Sequence, residues 1–154
     1  SPPPDVCKTR PFGYYDNITR THAKGVEIEA TARVGETVSL NGAFTDMRAE
    51  DLTTGLDLQR RPRITASGTV VWTPAAEWSA GATIIYVGRR FDAPGEIHPL
   101  AADTTVSLFG SHRLTDAIEL FARIENLFDA RYEPVFGYGA PGRAAYGGIR
   151  MSLE

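Results

Sequence analysis

Apolar and polar residues alternate with a period of two along most of this chain from residue 25 onward, and this pattern constrains the fold more than any other feature. At the even positions of residues 64–72 stand Ile, Ala, Gly, Val and Trp, whereas the odd positions carry Thr, Ser, Thr and Val. Successive side chains of a β-strand point to opposite faces, so this segment predicts a strand with one apolar and one polar face. No window shows the 3.6-residue period of an amphipathic helix. The pattern therefore predicts an all-β chain.

The alternation predicts about seven long strands joined by connections that are short and long in turn. The predicted strands are 23–34, 37–47, 62–73, 78–90, 103–114, 117–128 and 142–153. The short connections are 34–37, 74–77 and 115–116, and the long ones are 46–61, 89–102 and 129–141. Long strands with short turns at one end and long loops at the other are typical of an antiparallel, up-and-down transmembrane β-barrel. Strands of soluble sandwiches are usually shorter, at about five or six residues.

The placement of aromatic side chains agrees with a sheet that faces lipid. Trp72 and Trp78 flank one short turn, whereas Phe44 and Tyr86 lie toward the long connections. Membrane barrels carry aromatic girdles at both interfaces, and their lipid-facing positions avoid charge. Because a soluble β-sandwich also has one apolar face, the alternation alone leaves that alternative open.

Composition by itself suggests a different class of protein. The 154 residues match one ordinary domain, and 42% of them are hydrophobic without any apolar run long enough for a transmembrane helix. A sheet with one lipid-facing and one water-facing side also gives an intermediate hydrophobic fraction. The length then fits about a third of a barrel wall as well as it fits one domain. Sixteen basic against nineteen acidic residues argue against a nucleic-acid-binding protein.

Four stretches carry a resemblance to a known family. Residues 124–133 and 136–143, followed by the final alternating strand, resemble the C-terminus of TonB-dependent outer-membrane receptors. Residues 22–29 and 53–63 are similar to the same family in the same order, and the resemblance extends from about residue 14 to the end.

This resemblance implies a receptor, and not an enzyme, in the outer membrane of a Gram-negative bacterium. It implies a plug domain inside a 22-stranded barrel. Such receptors take up ferric siderophores, haem or vitamin B12 with energy delivered by the TonB complex. The implied partners are the plug and the other barrel strands, the TonB complex, outer-membrane lipid and lipopolysaccharide.

The chain differs from the family pattern in having no plug, no TonB-box segment and no terminal aromatic residue after Leu153. We therefore expect a C-terminal fragment, or one piece of a nicked or split receptor. Residues 1–13 are then expected to be part of an extracellular loop, and residues 14–154 to supply barrel strands and loops. Cys7, the single cysteine, is expected to be a free thiol or to have lost a partner upstream.

Two groups of loop residues are candidates for binding a ligand. Arg60 and Arg61 could attract an anion, and the alternative is that they pair with Asp57 or with lipopolysaccharide phosphates. Tyr132, Phe136 and Tyr138 lie near Arg143 and suit an aromatic or amphipathic ligand, with packing inside the loop as the alternative.

On the polar strand faces, Glu27, Glu29, Arg123 and Arg150 are expected to face the barrel lumen and the plug. No pattern of catalytic residues is present, no cofactor is indicated, and the three scattered histidines do not suggest a metal site. The functional alternatives are a passive porin-like or structural barrel and a soluble β-sandwich interaction module.

Overall fold

One antiparallel sheet accounts for most of the structure, a computed structural model that describes residues 20–152. The nine strands are β1 Thr21–Val34, β2 Val38–Asp51, β3 Ile64–Ala75, β4 Trp78–Val87, β5 Arg90–Ala93, β6 Ile97–Leu100, β7 Asp103–Thr115, β8 Ile118–Glu125 and β9 Ala144–Met151. The main sheet has the order β1-β2-β3-β4-β7-β8-β9, and β5 and β6 form a separate two-stranded sheet. The seven predicted strands are therefore confirmed, each beside its neighbour in the chain.

The register places the apolar positions of all seven strands on one face. Directly paired residues share a face of a sheet, so each ladder can be followed from strand to strand. One such row crosses the whole sheet and consists of Ala32, Leu40, Val70, Ala82, Leu108, Ile124 and Ala145. Two rows further toward the long loops, Ile28 pairs with Phe44, Phe44 with Ala66 and Ala66 with Tyr86.

The opposite face carries rows of small polar side chains. Thr31 pairs with Asn41, and the row continues through Thr69, Thr83 and Ser107. The Thr31 hydroxyl donates to the Asn41 side-chain oxygen at 3.0 Å, and the hydroxyls of Thr69 and Thr83 lie 3.0 Å apart. This face therefore satisfies part of its hydrogen bonding within the sheet.

In the described residues nothing covers the apolar face. Among the described residues, Ala49 and Leu100 are the only buried hydrophobic ones, while Val26 and Ile28 are more than half exposed and Ile84 is 49% exposed. A soluble sandwich would bury this face against a second sheet. The small β5–β6 sheet belongs to the long-loop end, so the β-sandwich alternative is wrong.

The aromatic residues of the apolar face lie at its two ends, as predicted. Trp78 is 53% exposed, stacks on His112 at 3.9 Å and lies beside the short turn that follows β3. Tyr86 is eight residues further along β4, at about 3.3 Å per residue, or roughly 26 Å along the strand. A strand tilt of about 35–45° reduces this to roughly 20 Å across the membrane, which fits within the apolar band of about 25 Å in outer-membrane barrels.

Two predictions about the connections were wrong in detail. β2 continues to Asp51, four residues past its predicted end, because β1 pairs with it as far as Thr21. Three of its last four residues are charged, so the hydropathy alternation stops before the hydrogen bonding does. The connection 89–102 contains the β5–β6 hairpin, whose four-residue strands are too short to show a period. Within residues 20–152, no helix is long and apolar enough to cross a membrane.

We expect Gly81, in β4, to tolerate no side chain. A Cβ at this position would meet the Phe109 ring and lie 2.5 Å from the Val70 carbonyl oxygen, which cannot move away. We expect Gly81→Ala to lower the free energy of unfolding by about 1–3 kcal/mol, as overpacking does. Gly42→Ala is the matched control in β2, since its Cβ would meet nothing closer than 3.7 Å. Equal urea midpoints for the two variants in lipid vesicles would contradict this expectation.

Candidate functional site

The three long connections meet at one end of the sheet, where the β5–β6 hairpin contacts both of the others. Toward the first connection, the Arg60 backbone N–H donates to the Phe91 carbonyl at 2.7 Å. The Arg60 side chain forms an ion pair with Asp92, with Nε and Oδ1 2.8 Å apart. The Asp57 backbone N–H donates to Glu96 at 3.2 Å. The hairpin therefore holds residues 52–63 by main-chain and side-chain contacts.

Toward the last connection, the hairpin contributes Arg90 and His98. Arg90 Nη2 donates to the carbonyls of Glu133 and Pro134 at 3.3 and 3.5 Å. Its Nη1 lies 3.4 Å from Asp103 Oδ2, and the two side chains are only 9% and 8% exposed. The His98 ring stacks on Phe136 with ring centres 4.1 Å apart.

Residues 126–143 are organised by polar side chains that bind the main chain. Asn126 is 7% exposed; its Nδ2 donates to the Ala130 and Pro141 carbonyls, and its Oδ1 accepts the Ala130 N–H. Asp129 accepts the Arg143 N–H, and Glu133 accepts the Gly137 N–H, each at 2.9 Å. A long loop fixed in this way can present its exposed side chains in one arrangement.

The first connection is organised mainly by charge. Arg48 pairs with Glu50 at 2.6 Å, and Arg63 pairs with Asp46 at 2.9 Å. Arg48 Nε also lies 3.5 Å from Asp57 Oδ1, which is buried and makes no hydrogen bond with any described residue. That contact is therefore an ion pair without a directed hydrogen bond. The Thr53 backbone N–H, 2.8 Å from the Asp51 carboxylate, holds the pKa of Asp51 below its ordinary value.

Arg60 and Arg61, the predicted anion-binding pair, have different surroundings. Arg60 forms an ion pair with Asp92 of the hairpin, and not with Asp57, the partner that the sequence offered as an alternative. Arg61 is exposed and makes no ion pair within residues 20–152.

The four candidates of the last connection are likewise not equivalent. Tyr132 is half-buried, Phe136 is 48% exposed and stacked on His98, and Tyr138 is 72% exposed. Arg143 is exposed, and its Nη1 donates to the Leu127 carbonyl at 3.4 Å. Among these, Tyr138 presents the largest exposed ring surface.

The four charged residues expected in the lumen occupy the polar face, at opposite edges of the sheet. Glu27 and Glu29 lie on the edge strand β1. Arg123 lies over the Tyr146 ring at 4.6 Å, and Arg150 pairs with Glu119 at 2.6 Å. The two acids and the two arginines are therefore not brought together in this sheet.

The arginine side of the polar face has a cavity of about 550 Å³ near the short turns. Arg150 lies 5.7 Å from the centre of the Phe121 ring there. The cavity is lined by alternating aromatic and charged side chains, among them Phe109, Glu119, Phe121, Arg123, Tyr146 and Arg150. Such a surface suits a partner with both apolar and charged groups.

Sequence reasoning missed Arg90, Asp103, His98 and Asn126. Asn126 lies inside the stretch 124–133 that carries the family resemblance. The sequence therefore drew attention to this position, but not to the hydrogen bonds that Asn126 makes to the main chain. Arg90 and His98 carry no local signal, because their partners are 13 to 44 residues away in the chain. Between residues 20 and 152, no group of three or more His, Cys, Asp or Glu side chains is arranged to hold a metal ion.

Comparison with known proteins gives a consistent result. The family model described as TonB dependent receptor-like, beta-barrel matches residues 1–127. The vitamin B12 transporter BtuB of Vibrio cholerae is 32% identical over 139 residues, covering 86% of this chain and 22% of that protein. The metal-pseudopaline receptor CntO of Pseudomonas aeruginosa is 28% identical over 130 residues, covering 78% of this chain and 18% of that protein.

Solved structures agree with the fold. A variant of the ferric enterobactin receptor PfeA from Pseudomonas aeruginosa gives a TM-score of 0.71 at 22% identity, over 85% of this chain and 22% of that one. The copper transporter OprC gives 0.75 at 19% identity, over 86% and 24%. The chain spans about a fifth of the length of the curated relatives it matches.

Proposed function

Because this chain belongs to the TonB-dependent receptor β-barrel family, whose members are non-enzymatic outer-membrane transporters of Gram-negative bacteria, we propose that it serves active uptake of a scarce, bulky ligand. The ligand classes proposed are a ferric siderophore, haem or vitamin B12, with energy delivered through TonB. The seven-stranded sheet is then part of a larger, 22-stranded wall, and the long connections face outward.

The organised cluster of loops at one end of the sheet is the observation that carries this proposal. Loops that only join strands need no buried ion pair such as Arg90–Asp103, and no asparagine that is 7% exposed and binds the main chain three times. Binding residues are often found on loops that a rigid scaffold positions. The cluster exposes Tyr138, Phe136 and Arg61, which provide ring surfaces and a cation for a large ligand.

The names of the relatives include two of these ligand classes, vitamin B12 and a ferric siderophore. The similar proteins are a vitamin B12 transporter, a metal-pseudopaline receptor, a ferric enterobactin receptor and a copper transporter. These ligands differ in charge and size, so the choice among them depends on loop side chains and not on the shared sheet.

The polar face is proposed to contact the remainder of the receptor. Glu27, Glu29, Arg123 and Arg150 would face the lumen, and the 550 Å³ cavity would receive part of the plug. Outer-membrane lipid and lipopolysaccharide would cover the apolar face and the outward ends of the strands.

Tyr138→Ala should weaken ligand capture without disturbing assembly. The ring is 72% exposed, so its removal costs little folding energy, whereas losing an aromatic contact of about 1.4 kcal/mol would raise the apparent KM about tenfold. Uptake of radiolabelled vitamin B12, ferric enterobactin and haem by cells expressing the complete receptor measures this. Trp72→Ala is the control, since it removes a half-exposed ring from the opposite end of the sheet.

The same assay separates active uptake from a passive barrel. Active uptake saturates and stops when a protonophore collapses the proton gradient that energises TonB. Uptake that rises linearly with concentration and survives the protonophore would instead indicate the porin-like alternative. An unchanged KM for every ligand in Tyr138→Ala would remove that residue from the site.

A further inference from the structure

We propose that the β5–β6 hairpin couples the loops 52–63 and 126–143, so that the two loops order and open together. Arg90 is the positioning residue on which this coupling depends. The inference concerns how the outward-facing loops move, and it holds whichever ligand they bind.

Three consecutive residues of β5 connect the two loops. Arg90 reaches the Glu133 and Pro134 carbonyls of the last loop, while the Phe91 carbonyl and the Asp92 carboxylate bind Arg60 of the first. Because adjacent residues of one short strand make both sets of contacts, a shift of β5 changes both loops. Among the described residues, no other strand makes hydrogen bonds or ion pairs with both loops.

The hairpin is itself fixed at its base. Arg90 pairs across the hairpin with Leu100, which is 4% exposed, and forms its ion pair with Asp103 at the start of β7. Both charged side chains are more than nine-tenths buried, so removing one partner leaves an unpaired buried charge, which is strongly destabilising. The Arg90–Asp103 pair therefore holds the hairpin on the main sheet while Arg90 Nη2 holds the last loop.

On β6, next to the hairpin turn, a second contact to the last loop is made through a ring stack. His98 has a positive φ of 57° and stacks on Phe136, and the turn before it includes Gly95 with a φ of 79°. The last loop is thus held at two places on the hairpin, and the first loop at Arg60 and Asp57. Coupling between two sites through a shared element is reciprocal, so loosening either loop should loosen the other.

Hydrogen exchange of the complete receptor tests this directly. The amides of Arg60, bonded to Phe91, and of Ala140, bonded to Tyr132, report the first and the last loop. In Asp92→Ala, which removes the side-chain partner of Arg60 and so a contact of the first loop only, we expect exchange at Ala140 to accelerate at least tenfold. In the double variant Arg90→Gln, Asp103→Asn, which removes both buried charges together, we expect the same acceleration at Arg60.

Arg89→Gln is the matched control, because Arg89 is the exposed neighbour of Arg90 and makes no ion pair within the described residues. It should leave both amides unchanged. Acceleration confined to the loop whose own contact was removed would overturn the proposal, since a merely structural role for each contact predicts that result. The double variant also guards against a failure to fold caused by an unpaired Asp103 carboxylate.

Discussion

An arginine in place of Ile84 should block assembly of this sheet in the outer membrane, whereas an arginine in place of Ile85 should permit it. The two isoleucines are neighbours in β4, are 49% and 45% exposed, and point to opposite faces. Ile84 belongs to the apolar face, within two residues of the midpoint between Trp78 and Tyr86. Arginine near the bilayer midplane costs about 2–4 kcal/mol, whereas the polar face offers it hydrogen-bonding partners.

The amount of folded receptor in outer-membrane fractions, and the urea midpoint in lipid vesicles, measure the two effects. We expect Ile84→Arg to reduce both and Ile85→Arg to retain most of the folded amount. Equal losses would contradict the assignment of the two faces. A larger loss for Ile85→Arg would show that the lumen side of β4 is packed tightly against another part of the receptor.

Asn126→Ala should make the last loop open more readily, by lowering the free energy of local opening by about 3 kcal/mol. The substitution removes three hydrogen bonds, each worth about 1 kcal/mol, from a side chain that is 7% exposed. It also places alanine at a φ of 49°, a left-handed conformation that asparagine tolerates better. The Ala130 N–H and the Pro141 carbonyl would each lose their side-chain partner.

Trypsin cleavage after the exposed Arg131 reports this opening on intact cells. Lowering the free energy of loop opening by about 3 kcal/mol raises the open population roughly a hundredfold. Cleavage then becomes faster by the same factor when reclosing is fast. Asn126→Gly loses the same hydrogen bonds but accepts the positive φ, so it should cleave more slowly than the alanine variant. Cleavage of Asn126→Ala at the unsubstituted rate would mean that other contacts hold the loop.

The wall of this protein was predictable in detail, and the loop cluster was not. Alternation at residues 64–72 correctly gave the strand, its faces and its neighbours, because the period of two is repeated in every strand and each register joins like faces. The Asn126 position was marked by the family resemblance alone. Its three main-chain bonds could not be foreseen, since they depend on where Pro141 returns to meet it.

The candidate ligand residues show the same division. The sequence indicated Arg60 as a cation of an outward loop, and the structure places it in an ion pair with Asp92, 32 residues away in the chain. For Phe136 the sequence left two alternatives, ligand contact or packing inside its own loop, and the structure stacks it on His98 of the hairpin. Tyr138 alone among the predicted aromatics is both on an ordered loop and largely exposed.

The sequence by itself therefore determined the strands, the lipid-facing and polar faces and the family, because each depends on the residue's own parity and on local stretches of chain. Only the tertiary structure decided that residues 90–100 form a hairpin, that Arg90 is buried with Asp103, and that this hairpin contacts both neighbouring loops. These contacts join residues far apart in the chain through hydrogen bonds and charges, which have no period along the sequence. The apolar faces must repeat because hydrocarbon offers no hydrogen bonds, whereas the packing of the long loops has no such constraint and need not repeat along the sequence.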